Sequence, residues 1–218
     1  MPRSRRNVDC MRRTLICVSH CDGAGGDDVA RLVAGQLGLR YVDEEIVSGA
    51  AQRAGAAPEL VADAEQRKPL LRRVLDELGA TGAAGMGVVG GSPPPLPAER
   101  RGDELRSFID EAIEAVAARG HVVIGAHGAS FALAARDDLL RVFVTASAGT
   151  RARRVARDRG IDGMETERQI RAADRTRADY LKRFYGVDDE VPTQYDLVVN
   201  TDVLSSPEAA SIVAHAAG

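Results

Sequence analysis

The sequence predicts an α/β doubly wound fold, with a parallel sheet of about five strands flanked by helices. Three observations carry that prediction. Short, uninterrupted apolar runs recur along the 218 residues. Amphipathic stretches with apolar residues three and four positions apart separate them. A glycine-rich turn joins the first run to the first such stretch. Strands covered on both faces by crossover helices are apolar throughout rather than alternating. Their regular alternation with helices is the pattern of a parallel, helix-flanked sheet.

The first strand falls at residues 14–19, around Leu15, Ile16, Cys17 and Val18. After the glycine turn, Val29, Leu32, Val33 and Leu37 form one apolar stripe of a helix that Gly38 ends. Residues 39–42 give a shorter strand. Residues 79–102 break the pattern: they are rich in Gly, Ala and Pro, including Gly90-Gly91-Ser92-Pro93-Pro94-Pro95. Such a segment reads as a mobile loop, either a disordered insertion or a flap over substrate. Leu105, Phe108, Ile109, Ala112, Ile113 and Val116 then form a core-facing helical stripe, closed by Gly120. Further strands fall at residues 121–125, 139–145 and 195–200. The length suits a single domain over residues 14–218, preceded by a basic, disordered tail at residues 1–13.

Composition narrows the function classes. The formal net charge is −3, but the tail holds Arg3, Arg5, Arg6, Arg12 and Arg13 against Asp9. The rest of the chain keeps 24 of the 29 basic and 31 of the 32 acidic residues, a net charge of −7. An acidic body argues against nucleic acid as the main partner. Cys10, Cys17 and Cys21 are odd in number and form no C-x-x-C pair, so they read as structural thiols in a reducing compartment. No apolar run approaches the roughly 20 residues of a membrane helix, and no signal peptide is legible. The expectation is a cytoplasmic protein without a membrane partner. The sequence does not set the oligomeric state.

Chemistry concentrates at Gly23-Ala24-Gly25-Gly26-Asp27-Asp28, between a buried strand and a helix start. This is where a phosphate-binding loop stands, because the first amide N–H groups of a helix lack intrahelical partners and face an anion. A standard loop, G-x-x-x-x-G-K-[ST], adds a lysine for the phosphate oxygens and a hydroxyl for Mg²⁺. Here Gly26 stands in the lysine slot and two aspartates follow it. Asp27 and Asp28 would repel a triphosphate. Alternatively, they favour the helix dipole and cap its free N–H groups, or Asp28 ligates Mg²⁺. The chain has only two lysines, Lys68 and Lys182, both placed on charged helical surfaces.

The loop and the Leu37-Gly38-Leu39-Arg40-Tyr41-Val42-Asp43 segment resemble the opening of the cytidylate-kinase-like family. There, a G-S-G-G-R-E-I-type loop precedes an L-G-x-x-[FY]-x-D turn. The likeness continues in Val122-Val123-Ile124-Gly125-Ala126-His127-Gly128-Ala129, where the family has an apolar strand ending in G-R-G-A. It extends through Leu140-Arg141-Val142-Phe143-Val144-Thr145 and Arg151-Ala152-Arg153-Arg154. Ile170, Asp174, Arg177 and Tyr180 then match an I-x-x-x-D-x-x-R-x-x-Y helix, and residues 195–201 match the last strand.

That resemblance implies a P-loop-kinase-like sheet with a helical lid near residues 160–185, and ATP and Mg²⁺ as donor and cofactor. It implies a phosphotransferase acting on a nucleoside monophosphate or a similar small phosphoacceptor. Gly23, Ala24, Gly25, Gly26, Asp27 and Asp28, with Arg151 and Arg154, would meet the donor nucleotide. Asp43 and His127 would face the acceptor. Asp174, Arg175 and Arg177 would lie in or beside the lid, where guanidinium forks suit phosphate oxygens. Two departures stand out: Asp27 replaces a basic loop residue, and His127 replaces the strand-end arginine. Phosphoryl transfer depends on charge neutralisation, so the alternative these losses leave is a nucleotide-binding protein that does not transfer phosphate, or an interaction module.

Overall fold

The computed structural model describes residues 13–54, 98–125 and 128–218. Its strands are β1 (Leu15–His20), β2 (Arg40–Val42), β3 (Val122–Gly125), β4 (Leu139–Thr145) and β5 (Leu197–Asn200). They form one sheet in the order β2-β3-β1-β4-β5. Every pairing is parallel, with Leu15 opposite Val122 on one side and Leu139 on the other. The helices are α1 (Gly26–Leu37), α2 (Glu44–Ala54), α3 (Ala98–Ala117), the single turn α4 (Ala129–Ala132), α5 (Ala148–Arg159), α6 (Gly163–Tyr185) and α7 (Ser206–Ala216).

Side-chain alternation along the strands divides the core into two layers. Leu15, Cys17, Val122 and Ile124 pack with Ile46 of α2 and with Ile109, Ala112 and Ile113 of α3. Ile16, Val18, Val123, Val142 and Val144 pack with Val29 and Val33 of α1 and with Ala209 and Val213 of α7. β1 is therefore buried on both faces, as its unbroken apolar run requires. A third cluster of Ala152, Val155 and Ile170 joins α5 to α6. Six of the eight aromatic residues form a continuous chain, from Phe143 stacked on Tyr195, through Phe131 and Tyr185, to Tyr180 and Phe184. It ties the strand ends to α6.

Several boundaries differ from expectation for local reasons. β1 runs one residue further, to His20. β3 starts at Val122 because the chain leaves α3 through left-handed Gly120 and His121 (φ 62° and 51°). β5 begins at Leu197, after the Asp196 carboxylate has accepted the Arg141 N–H at 2.8 Å. Leu32, expected in the core stripe of α1, is 37% exposed, and the smaller Ala30 and Ala34 take its place beside Val29 and Val33. The helix α3 begins at Ala98, so residues 98–102 of the expected 79–102 loop are helical. The good helix formers Ala98, Glu99, Arg100 and Arg101 follow Pro97 and outweigh the single Gly102. Residues 79–97, the tail at 1–12, Cys10, Lys68 and His127 lie outside the described residues.

Candidate active site

The central strand β1 ends between β3 and β4, at the carboxyl edge of the sheet, which is where parallel α/β sheets open a crevice. There the chain folds into a tight loop. The Cys21 N–H donates to the Val144 carbonyl (3.3 Å), and the Ala24 N–H donates back to the Cys21 carbonyl (3.0 Å). Gly25 is the N-cap of α1, in the left-handed region at φ 77°, and no side chain caps the helix from that position. The first-turn amides of α1 thus begin the helix facing the loop, as an anion cradle requires.

Close approach fixes the other loop glycines. A Cβ on Gly23 would lie 2.8 Å from the Arg151 carbonyl oxygen. A Cβ on Gly26 would lie 2.3 Å from both Cβ and Cγ of His20. The His20 ring therefore stands where a side chain in the lysine slot would begin.

Neither aspartate caps the helix in the expected way. Asp27 Oδ1 meets His20 Nε2 at 3.1 Å and accepts from the Tyr41 hydroxyl at 3.4 Å. The His20 hydrogen bond is the main reason that the Asp27 carboxyl titrates below its usual range. The single Tyr41 proton is shared with Asp43 Oδ2 (3.2 Å), so one hydroxyl links the loop aspartate to the aspartate that follows β2. The same Tyr41 ring lies against Gly125 at the end of β3. Asp28 faces solvent beside Arg31 at 3.8 Å, a spacing of little energetic weight.

Basic residues of α5 grip the loop from its carbonyl side. Arg151 is buried, and its fork pairs with both oxygens of Asp174 at 2.9 and 2.8 Å. It also donates to the carbonyls of Ala146 and Asp22. Arg154 reaches the Gly23 and Ala24 carbonyls, both at 3.4 Å, and the Thr201 hydroxyl at 3.0 Å. Thr201, itself buried, donates to the Ala24 carbonyl at 2.8 Å. Arg159 pairs with the Asp22 carboxylate at 3.2 Å.

On α6, Asp174 and Arg177 are three residues apart and share one face, which packs inward. Arg177 makes a two-pronged pair with Glu190 (2.8 and 2.6 Å) and lies over the Phe143 ring. Glu190 also accepts from Tyr195. Arg175 lies on another face of the helix. It is exposed and donates to the Arg171 carbonyl, and among the described residues no carboxylate pairs with it.

The structure thus brings Gly23, Ala24, Gly25, Gly26, Asp27 and Asp43 together with Arg151 and Arg154, and links Asp174 to the loop through Arg151. It sets Asp28 and Arg175 facing solvent. Sequence reasoning missed His20, Tyr41, Glu190 and Thr201. His20 immediately precedes the loop and was open to notice, whereas Glu190 and Thr201 reach the site only by tertiary folding.

All-parallel pairing in this strand order, with a glycine loop closing the central strand, defines a P-loop-kinase-like α/β protein. The model of the cytidylate kinase-like family matches residues 15–203, and the chain belongs to that family. It is 29% identical over 196 residues to a cytidylate kinase of Ignicoccus hospitalis, covering 90% of this chain and 94% of the relative. A cytidylate kinase of Methanopyrus kandleri is 31% identical over 137 residues, covering 53% and 71%. Two solved structures share the fold. An uncharacterized protein of Eubacterium ventriosum has a TM-score of 0.61 at 14% identity, covering 93% of this chain and 97% of that one. A Thermus thermophilus protein has a TM-score of 0.54 at 15% identity, covering 93% and 94%. Among the described residues no helix is long and apolar enough to cross a membrane.

Proposed function

We propose that this protein transfers the terminal phosphoryl group of ATP to a nucleoside monophosphate or a similar small phosphoacceptor. The observation that carries this reading is the glycine loop at the end of β1, with its helix N-terminus uncapped by side chains, in a chain of the cytidylate kinase-like family. The loop amides and the N-terminus of α1 would hold the donor phosphates. Asp43, and His127 beyond β3, would address the acceptor. Arg175, whose fork has no carboxylate partner among the described residues, would neutralise charge from α6.

Mg²⁺ would arrive on the nucleotide. Among the described residues no group of three or more His, Cys, Asp or Glu side chains could hold a metal ion. The residues present fit an ion carried mainly by phosphate oxygens and water, which asks for few protein ligands.

A second reading, nucleotide binding without transfer, is favoured by a specific observation: the Arg151 and Arg177 forks are already filled by Asp174 and Glu190. Two measurements separate the readings. ATP at 100 times its Kd should stabilise the fold by about 2.7 kcal/mol in a thermal-shift titration. ADP should then form in a coupled assay with CMP and Mg²⁺. Stabilisation without ADP formation across nucleoside monophosphates leaves the second reading, and no stabilisation by any nucleotide removes both.

A further inference from the structure

The basic side chains around the loop divide by the atoms they meet. Arg151 and Arg154 donate to carbonyl oxygens of residues 22, 23 and 24, and Arg159 pairs with the Asp22 carboxylate. These bonds engage the loop's acceptors and hold its shape, but they do not place a cation beside its amide donors. His20 differs. Its ring fills the volume at Gly26 in which a lysine-slot side chain would start, 2.3 to 2.6 Å from where that Cβ would lie.

The ring is also oriented by its neighbours. Nε2 faces Asp27 Oδ1 at 3.1 Å, and Nδ1 faces the Cys21 carbonyl oxygen at 3.4 Å. A neutral imidazole donates from only one nitrogen, and the ring donates from both when a bound anion favours its second proton. The contact to Asp27 is charge-assisted in that form, while the Cys21 contact is long and weak. Nδ1–H is therefore the donor that a phosphate oxygen would capture.

We propose that His20 is the phosphate-contacting cation of this loop, standing in for the absent lysine, and that Asp27 is the positioning residue that holds its ring. This rests on the nucleotide-binding reading above and deepens it. Asp27 then orients a cation and is held by His20 and Tyr41, rather than confronting the triphosphate as a bare charge.

The test is ATP binding to the full chain by calorimetry. His20→Gln should weaken ATP binding about 10- to 100-fold, the effect of losing a charged hydrogen bond. His20→Lys should recover most of the loss, because it restores the cation without the ring. Asp27→Asn should weaken binding about 10-fold or less. Glutamine-variant affinity equal to or above that of the wild type would overturn the assignment, since the ring would then be an obstruction. Loss that lysine fails to restore, in a variant with unchanged thermal midpoint, would overturn it too. If the glutamine variant does not fold, the wild-type His20 ring resonances decide: they should shift on adding ATP and stay in place on adding cytidine, and no shift with ATP overturns the proposal. Absence of any ATP binding by the wild type would instead remove the nucleotide reading on which the proposal stands.

Discussion

Gly26 shows how one missing side chain reshapes a site. The simplest repair of the loop would be Gly26→Lys, which recreates the standard motif on paper. The structure argues otherwise, because the new Cβ would overlap the inner atoms of the His20 ring and not merely the tip of a flexible chain. The gain of about 1 kcal/mol in helix propensity over glycine is opposed by overpacking that typically costs about 1–3 kcal/mol. We expect Gly26→Lys to lower the urea midpoint and to leave ATP affinity no higher than that of the wild type. A tighter, more stable variant would show that His20 swings away freely. Sequence alone exposed the vacancy at Gly26. It did not expose the occupant, because a histidine six residues earlier reaches it only through the turn of the loop.

At the scale of elements, α6 is fastened by two arginine–carboxylate forks on one face: Arg151 of α5 to Asp174, and Arg177 of α6 to Glu190 beyond it. Removing one carboxylate leaves an arginine fork without its counter-charge. Asp174→Ala should therefore destabilise the protein by about 2–3 kcal/mol. That is below the 3–5 kcal/mol typical of a fully buried pair, since the Asp174 side chain is 40% exposed. Equilibrium urea unfolding measures the loss, and amide exchange should quicken first in α6.

The strands were legible because double-sided burial forces an apolar run, and all five were found within a residue or two. Their spatial order was not legible from pattern, since any crossover sequence keeps the same alternation. The forks were invisible for a related reason. Asp174 and Arg177 advertise a shared helix face, but their partners lie 23 and 13 residues away. Arginines expected at phosphate are thus found bonded to protein oxygens. Leu32 was misplaced because Ala30 and Ala34, left out of the apolar stripe of α1, fill the α1–α7 contact.

For the molecule as a whole, buried hydroxyls and bonded carboxylates set opposite limits on pH. Burial pushes the hydroxyls of Tyr41, Tyr185 and Tyr195 above the ordinary tyrosine range, and the Cys17 thiol above its own. Their folded values are raised, so this stabilisation is complete below the unfolded values, near pH 9 for the thiol and near pH 10 for the tyrosines, and is lost as pH climbs beyond them. On the acid side, the His20 hydrogen bond holds the Asp27 carboxyl low, and the Ser147 backbone N–H does the same for Asp202. That contribution is present above the unfolded carboxylate value near pH 4 and fades as pH falls through the lower folded values. Urea midpoints should be flat between about pH 5 and pH 8 and decline on both sides. A midpoint that stays level past pH 10 would contradict the burial of these tyrosines.

The aromatic chain has an optical consequence. The protein has no tryptophan and four tyrosines, so its near-ultraviolet emission is tyrosine emission alone. Tyr41 bridges Asp27 and Asp43, Tyr185 donates to Asp110, Tyr195 donates to Glu190, and Tyr180 meets Phe184 and Tyr185 edge to face. Every native fluorophore thus sits either in the glycine-loop cluster or on the ring ladder leading to α6. Each of the three hydroxyls is coupled to a carboxylate that accepts its proton more readily in the excited state. The cleft carries its own dye, and an event that moves Asp27 or Glu190 will register in the brightness of the unlabelled protein.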